Sequence, residues 1–513
     1  MEAIINSQLL YPSLGLASLI LVLRAILVVS GVPKPVNFHA WDPFRRKANQ
    51  EFEADASGLI AKGLKKDGSS FRLATKMGTY LVLADRYAEE IRNDERFSAY
   101  DALVDVILLE LPGFETSFQG SLHNHVSPIA VQALNKELLH LTQPLSDEAS
   151  NFLRTRWSDV PDWQIVDIRE TVLGLVAQMT TRALIGPELS CHAEWLDIAI
   201  SFTTNRAIAV AAIQGWPRLL QPMVHWFLSP CRAVRKQIRR AKGILLPVLR
   251  QKMGQNEVDP SSSSSPTSIK QDFSTLTFID RYAQGKRYDA TLAQLRLIAV
   301  SVLTTADLVE KVVARLLEYP ELIEPLREEV IAVLTMTHQG MHRNSLMKLT
   351  LMESVMRESQ RLEPATLISM FRVAKKTVIL QDGTVVPRGT NLAFANDSRL
   401  DPTMYPNPER FDGYRFQRMR EDPSTAGLAP FTRTRMSHLA FGHGKHACPG
   451  RFLSCDEAKL ILCHILLKYD IRAPESGNDA GISVYGMFVQ RKPGEKMEVK
   501  MRQMEPGVAE ILR

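Results

Sequence analysis

The 513-residue sequence has few cysteines, no Cys-x-x-Cys pair and no strong excess of either charge. Its five cysteines are an odd number at loose spacings, which argues against a disulfide framework and against a zinc site. A net charge of +6 is mild for this length and does not favour nucleic-acid binding. Neither an internal repeat nor a flavin or nicotinamide fingerprint is found. With 45% hydrophobic residues, the chain has a globular composition and can bury a core large enough to enclose a cofactor.

Most of the cysteines are expected to be buried as small apolar side chains. This expectation applies to Cys191, Cys231, Cys455 and Cys463. Cys448 is the exception, because the residues around it form a distinctive loop sequence.

An apolar stretch lies near the amino terminus, from Leu9 to Val32, and is interrupted only by Arg24. A helix over these residues would be about 36 Å long, enough to cross a bilayer with some tilt. Glu2 is the only charge before it and no clear cleavage site follows, so a membrane anchor is favoured over a removed signal peptide. A buried core helix is the alternative.

The residues after this stretch predict the orientation of the chain. Pro33-Lys34-Pro35 forms a stiff spacer, and Arg45, Arg46 and Lys47 add to the positive charge. The positive-inside rule then leaves the rest of the chain in the cytosol. We therefore expect an anchor and hinge over residues 1–36 and a single domain over 37–513.

The domain is predicted to be mainly α-helical with small β-sheets. Apolar periodicity predicts helices over 126–153, 168–185, 193–212, 231–252, 292–318 and 452–468. The segment 297–306 has no charge, so it is expected to be buried on all sides. Asp382-Gly383 predicts a hairpin turn between short strands at 377–380 and 384–386. The Ser-rich segment at about 259–268 is predicted to be a flexible loop.

The predicted helix over 231–252 carries a run of six basic side chains between residues 232 and 242. The two interpretations are a solvated face and a face that lies near anionic lipid headgroups. The six residues are Arg232, Arg235, Lys236, Arg239, Arg240 and Lys242.

The loop FGHGKHACPGRF surrounds Cys448. Gly442 and Gly444 precede the cysteine, Gly450 follows it, and an amphipathic helix begins directly afterwards. Glycines permit positive φ and let the backbone approach a flat macrocycle. Backbone N–H groups and a helix N-terminus stabilise a thiolate, and Pro449 leaves Gly450 and later residues to donate. This layout suits an axial cysteine ligand.

In this loop the sequence resembles the cytochrome P-450 heme-thiolate monooxygenases. Their Phe-x-x-Gly-x-x-x-Cys-x-Gly pattern is present as Phe441, Gly444, Cys448 and Gly450. The resemblance implies the cytochrome P-450 fold, preceded by one transmembrane helix, and heme b (iron protoporphyrin IX) with Cys448 as the ligand of the heme iron. It also implies that His446 contacts a heme propionate.

Two upstream motifs strengthen the resemblance. Glu358 and Arg361 match the family's Glu-x-x-Arg, and Pro408 to Phe411 matches its Pro-Glu-Arg-Phe segment. Residues at i and i+3 share a helix face. The resemblance implies that Glu358, Arg361 and Arg410 form a buried structural network.

The resemblance implies two further contacts to a heme propionate, one upstream of these motifs and one between them. Arg372 matches the arginine that binds a heme propionate after the Glu-x-x-Arg helix, a task that suits its planar donor fork. His123 or His125 lies where the propionate-contacting helix should begin, although the family's usual Trp-x-x-x-Arg is missing there.

The oxygen-activation helix departs from the family pattern. Counting back from Pro320 gives Thr304 as the family's threonine, but Leu303 replaces the usual acid and Ser301 the usual glycine. Thr304 or Thr305 is expected to bend the helix and to organise proton delivery. Asp307 is not a matched substitute for the missing acid.

The resemblance implies insertion of one oxygen atom from O₂ into an apolar small molecule, with electrons from NADPH through a separate reductase. General likeness to fungal secondary-metabolism members suggests a terpenoid or related metabolite and a single-pass protein of the endoplasmic reticulum membrane. The alternatives are a heme-thiolate isomerase or lyase without a reductase, motivated by Leu303, and a non-catalytic heme-binding protein.

Contacts to the substrate and to the reductase are also expected. Relatives line the pocket at positions near Phe114, residues 367–370 and residues 487–488. Lys445, Arg451 and Lys459 lie near the cysteine loop and are expected to contact an acidic reductase face.

Overall fold

The computed structural model describes residues 35–39, 42, 45–108, 111, 114, 126–157, 162–256, 274–275, 278–279, 288–337, 340–475, 477 and 481–503. Helices dominate this part of the chain. Those of the first half are α1 Arg46–Asp67, α2 Ala88–Ile91, α3 Ala99–Ile107, α4 Val126–Lys136, α5 Leu138–Trp157, α6 Ile168–Leu184, α7 Pro187–Ser190, α8 Ala193–Gln214, α9 Gln221–Val224 and α10 Ser229–Asn256. Those of the second half are α11 Ala290–Glu318, α12 Ile323–Thr337, α13 Arg343–Leu346, α14 Thr350–Leu362, α15 Arg415–Glu421 and α16 Arg451–Lys468.

The strands form small sheets at the edges of the helical body. The largest sheet has the order β1-β2-β8-β5-β3, in which β2 and β8 are parallel and the other neighbours are antiparallel. Its strands are β1 Ser70–Thr75, β2 Gly78–Leu83, β3 Phe97–Ser98, β5 Ile368–Ala374 and β8 Asn391–Ala395. The others are β4 Gln164–Asp167, β6 Val378–Ile379, β7 Val385–Val386, β9 Tyr469–Arg472, β10 Ile482–Tyr485, β11 Phe488–Arg491 and β12 Lys496–Met501.

Apolar periodicity located the long helices closely. α6, α8, α11 and α16 begin and end within about two residues of their predicted bounds. The predicted helix over 126–153 is instead two helices, α4 and α5, which are divided at Glu137 where the backbone N–H bonds the Leu134 carbonyl. The predicted hairpin is present as β6 paired with β7, and Gly383 takes a φ of +88° in the turn.

Helix α11 runs through the centre of the molecule and packs against α6, α8, α14 and α16. The charge-free segment 297–306 was predicted to be buried on all sides, and that prediction is wrong. Val300 is 60% exposed and Thr304 is also exposed. Both residues face an internal cavity. The segment 297–306 therefore lacks charge because one part of it forms a cavity wall and another part is packed in the core.

Helix α10 buries one face and exposes its basic one. Arg240 pairs with Glu194 and Lys242 with Asp289, so part of the basic face is engaged in surface ion pairs. Cys231, on the opposite face, is fully buried.

The remaining cysteines are also free thiols. Cys455 and Cys463 are buried as expected, but Cys191 is exposed. It lies at the carboxyl end of the short helix α7, with its Sγ beside Glu148. The prediction that Cys191 is buried is therefore wrong.

The predicted anchor over 9–32 and the Ser-rich segment 259–268 lie outside the described residues. Among the helices that the structure does describe, α8 alone is long and apolar enough to span a membrane by length and composition, and a third of its apolar window is buried.

Candidate active site

The cysteine loop is a tight connection between residue 441 and the start of α16. The Cys448 N–H donates to the Phe441 carbonyl over 2.7 Å, which closes the loop. Gly442 and Gly444 have φ of +64° and +75°, a left-handed conformation that side chains with a Cβ rarely adopt. A Cβ on Gly444 would lie 2.6 Å from the Arg92 Cβ. The loop therefore needs glycine at 444 both for conformation and for space.

Burial has the largest effect on the Cys448 thiol, and neighbouring donors and charge act against it. Burial raises the pKa of the Cys448 thiol, while the backbone N–H groups of Gly450 and Arg451 and the Arg451 charge act in the opposite direction. Arg451 is held in place by Nη1, which donates to the Cys448 carbonyl over 2.6 Å. The expected donors after Pro449 are thus in position.

Helix α11 presents both threonines near the cysteine loop, on different faces. Thr304 lines the cavity, and its hydroxyl donates to the Val300 carbonyl over 2.8 Å, which leaves its oxygen free to accept a hydrogen bond. Thr305 is buried, and its hydroxyl donates to Ser454 on α16 over 3.0 Å. Both threonines line the cavity, but Thr305 uses its hydroxyl to join two helices, while Thr304 has the more exposed side chain. Leu303 does not line the cavity.

The cavity has a volume of about 360 Å³ and is bounded by α11 on one side and by the cysteine loop and the start of α16 on the other. Its wall combines apolar groups with a few charged ones. The apolar residues include Val131, Leu184, Leu297, Val300, Leu308, Phe441 and Leu453, and the charged ones are Arg296, Asp307, Lys311, Glu363 and Glu457. Volume and lining are those of a small-molecule or cofactor site.

Arg372 is not one of the residues that line the cavity, but its side chain has the chemistry to hold a carboxylate of a flat macrocycle. Arg372, on β5, is 4% exposed, and its one side-chain hydrogen bond within the described residues goes to the neighbouring Phe371 carbonyl. Burial without an acidic partner lowers the pKa of Arg372 to about 10. A buried guanidinium with spare donors suits an anionic ligand. His446 lies in the cysteine loop and is exposed, and His123 and His125 lie outside the described residues.

The Glu358 network is present, but its third member differs from the expectation. Arg361 binds both carboxylate oxygens of Glu358 over 2.7 Å, and Arg415 Nε donates to the same carboxylate over 3.0 Å. Arg410 is exposed, and only its backbone carbonyl takes part, accepting from Arg415 over 3.1 Å. Asn407 has a φ of +49°, and its carbonyl accepts from the Arg410 N–H over 3.0 Å in the same turn.

The expected substrate contacts do not line this cavity. Phe114 is fully buried beneath Arg206, and Phe488 is 46% exposed at the surface. Leu367, Ile368 and Met487 are packed into one apolar cluster on the sheet side of the core, and Met370 is packed into a second. Ala365 and Phe441 line the cavity instead.

The expected reductase contacts separate into exposed and buried residues. Lys445 is exposed and Arg451 is partly exposed. Lys459 is 3% exposed, and its Nζ donates to the Leu346 carbonyl over 2.8 Å, so it cannot contact a protein partner. The prediction for Lys459 is wrong because α16 is buried on nearly all of its faces.

Comparison with known proteins decides the family. The sequence model described as Cytochrome P450 matches residues 132–499. The chain belongs to the cytochrome P450 family. It is 66% identical to the cytochrome P450 monooxygenase roqO of Penicillium rubens over 471 residues, 92% of each chain. It is 62% identical to fumitremorgin C monooxygenases of Neosartorya fischeri and of Aspergillus fumigatus, each over 98% of both chains.

Family membership establishes the general chemistry. The chain is an oxidoreductase of the cytochrome P450 monooxygenase type, related to fungal secondary-metabolism members, and the cofactor of the family is heme. Members use O₂, a small-molecule substrate and a redox partner.

Arg296 and Arg415 were missed by sequence analysis. Arg296 carried a signal, as a lone charge beside a long apolar helical stretch, whereas nothing in the local pattern distinguished Arg415 from Arg410.

Proposed function

We propose that this P450 inserts one oxygen atom from O₂ into a fungal secondary metabolite, with Cys448 as the residue that would bind the heme iron. The observation that carries the proposal is the placement of Cys448 on the wall of a cavity whose other wall carries Thr304. Bound heme supplies the one-electron chemistry on O₂ that amino-acid side chains lack.

The residues of the chain hold and tune this site. The N–H groups of Gly450 and Arg451 and the Arg451 charge stabilise the Cys448 thiolate. Arg372 and His446 would hold the heme carboxylates, and Phe441, Gly442 and Gly444 shape the cysteine loop that would hold heme. Thr304 orients a proton-bearing group in the cavity through its free lone pairs. Glu358, Arg361 and Arg415 hold the core behind the site.

The substrate proposed is a fumitremorgin-type alkaloid rather than a simple terpenoid. Two relatives at 62% identity over nearly the whole chain are named fumitremorgin C monooxygenase, and fumitremorgin is a prenylated indole alkaloid. The cavity lining supports a substrate of mixed polarity. Val300 and Leu308 offer apolar contacts, while Arg296 lines the same cavity without a hydrogen-bond or ion-pair partner among the described residues. A guanidinium of this kind would bind a carbonyl oxygen of the substrate.

The redox partner proposed is NADPH-cytochrome P450 reductase. Lys445, exposed on the cysteine loop, is the cation best placed to meet its acidic face.

Residence on the endoplasmic reticulum membrane, through the segment 9–32, is likewise a proposal. It is supported by exposed apolar side chains around α9. Leu219 is 91% exposed, Phe227 78% and Met223 64%, an unusual concentration for a surface in water.

The test is turnover by microsomes that contain this protein and the reductase, fed fumitremorgin C and a terpenoid panel under isotopically labelled O₂, with and without NADPH. Label in an NADPH-dependent alkaloid product would support the proposal. An unlabelled product formed equally well without NADPH would replace it with the isomerase alternative that Leu303 suggests.

A matched pair of cysteine variants tests the ligand assignment. Cys448→Ser is expected to lose the thiolate-type carbon monoxide spectrum of the reduced protein. Cys455→Ser, which changes a buried thiol on the following helix, is expected to retain it. A thiolate-type spectrum from Cys448→Ser would refute the assignment.

A further inference from the structure

We propose that Asp307, positioned by Lys311, supplies protons to the cavity during oxygen insertion, in place of the acid that is missing at Leu303. This inference rests on the proposed monooxygenase function and extends it to a residue that the family pattern does not assign. It starts from the departure in the oxygen-activation helix, where Leu303 cannot hold a proton and does not line the cavity.

One face of helix α11 lines the cavity with both polar and apolar side chains. Arg296, Val300, Thr304, Asp307 and Lys311 all line it, at spacings of three or four residues. Residues at these spacings share a helix face. Asp307 therefore lies one turn beyond Thr304 on the same wall, so a short chain of water can connect the carboxyl to the Thr304 hydroxyl oxygen.

The ion pair with Lys311 fixes the Asp307 carboxyl. Lys311 Nζ donates to Asp307 Oδ2 over 2.7 Å and to the Val489 carbonyl over 2.8 Å, so the amine is anchored to both α11 and β11. Oδ1 of Asp307 is buried and has no hydrogen-bond partner among the residues that the structure describes. A buried carboxylate oxygen without a partner is costly, and a proton on Oδ1 relieves that cost.

The charges that face Asp307 come from two helices. Lys311 and Glu310 lie on α11, and Arg169 lies on α6, where it pairs with Glu310 over 3.1 Å. Burial raises the pKa of Asp307, and the charges of Lys311 and Arg169 partly oppose that rise. The Asp307 side chain is 18% exposed, so it can exchange protons with water.

The reaction requires such a group. In the balanced step, RH, O₂, two electrons and two protons give ROH and H₂O, with one oxygen atom inserted into a C–H bond and the other reduced to water. The redox partner supplies the electrons. The Asp307 carboxyl takes up each proton from water and releases it toward Thr304, while Lys311 acts as a positioning residue.

Asp307→Asn is the direct test, because it keeps the size and polarity of the side chain but cannot carry an exchangeable acidic proton. Glu310→Gln is the matched control. It changes a carboxyl on the same helix that is 3% exposed and does not line the cavity. Both holoproteins are first checked for heme content and for the thiolate-type carbon monoxide spectrum.

The first measurement is product and hydrogen peroxide formed per NADPH oxidised, with purified reductase. Asp307→Asn is expected to form product about tenfold less efficiently and to release peroxide instead, and Asp307→Glu is expected to recover part of the loss. Glu310→Gln is expected to match the unmodified protein. Equal coupling in Asp307→Asn and Glu310→Gln would overturn the inference.

The second measurement is an infrared pH-difference spectrum of the resting holoprotein, which needs no substrate. We expect a protonated-carboxyl band that Asp307→Asn lacks and Glu310→Gln retains. In Lys311→Met the midpoint of that band is expected to move to higher pH, because the cation that lowers the pKa of Asp307 has been removed. If no band depends on Asp307, the inference fails. Should the unmodified protein form no product, the proposed function fails and the infrared result still decides the role of Asp307.

Discussion

Nε of Arg415 donates a hydrogen bond to Oε1 of Glu358 over 3.0 Å, although the two residues are 57 positions apart in the chain. The same guanidinium donates to the carbonyls of Pro406 and Arg410. Arg415 thus links two parts of the chain. It binds the turn that carries the Pro-Glu-Arg-Phe segment and also the carboxylate on the Glu-x-x-Arg helix. Glu358 is fully buried, and Arg415 adds a further charged donor to a carboxylate whose two oxygens both accept from Arg361.

Arg415→Ala is therefore expected to destabilise the protein by about 3–5 kcal/mol, because it removes one partner of a buried ionic network. Arg410→Ala is the matched control, and we expect a change within about 0.5 kcal/mol because its side chain is exposed. The measurement is the unfolding midpoint of each holoprotein together with the heme retained. Equal destabilisation by both substitutions would contradict this account.

The difference between Arg410 and Arg415 could not be predicted from the sequence, whereas other parts of the site could. The cysteine loop, the Glu-x-x-Arg pair and the long helices could be predicted because each depends on local spacing or on apolar periodicity. The choice between two arginines depends on the path of the backbone around them, which brings the Arg415 side chain and only the carbonyl of Arg410 into the network.

Burial of charged side chains was equally hard to predict. Lys459 occupies a helix that reads as amphipathic, yet α16 is packed on nearly every face. Its amine is accommodated because it bonds the Leu346 carbonyl and lies 3.6 Å from Glu353. Both partners come from other elements, so only the assembled fold shows why a lysine is tolerated there.

Gly444 provides a second stability test. In Gly444→Ala the new methyl group would lie 2.7 Å from Asn93 Oδ1 and 2.9 Å from the Arg92 carbonyl, and φ is +75°. We expect the cysteine loop to shift and heme content to fall several-fold. Gly427→Ala is the control, since nothing lies within 4 Å of its added Cβ. Full heme loading in Gly444→Ala would show that the loop is more tolerant than its geometry indicates.

Arg296 provides a test of substrate binding. Burial lowers the pKa of its guanidinium, which lines the cavity and has no ion-pair partner among the described side chains. A hydrogen bond from a charged donor contributes about 1.5–3 kcal/mol. Arg296→Leu is therefore expected to weaken binding of fumitremorgin C about tenfold or more, read from the substrate-induced change in the heme spectrum. Unchanged affinity would show that the substrate does not contact Arg296.

Glu457 predicts how stability depends on pH. Its carboxyl is fully buried on α16, accepts one hydrogen bond from Thr180 over 3.1 Å, and has no partner for Oε2 within the described residues. Burial, with a further contribution from the charge of Asp456, raises the pKa of Glu457 from 4.5 to about 8. The folded state therefore binds this proton more tightly than the unfolded chain does. Stability from this group is fully present below pH 4.5 and is lost as the pH rises toward 8.

Glu457→Gln removes this titration while retaining an acceptor for Thr180. Relative to the unmodified protein, the variant is expected to gain stability from pH 5 to pH 8 and to keep a constant advantage at higher pH. One pKa unit corresponds to about 1.4 kcal/mol, so the advantage has an upper limit of roughly 5 kcal/mol. The measurement is the unfolding midpoint at pH 5, 7 and 9, with Glu475→Gln as the control because Glu475 is 81% exposed. A stability difference that stays constant across this range would contradict this account. It would mean that Glu457 is ionised in the folded protein and that its charge is paired with a group that moves toward it in solution.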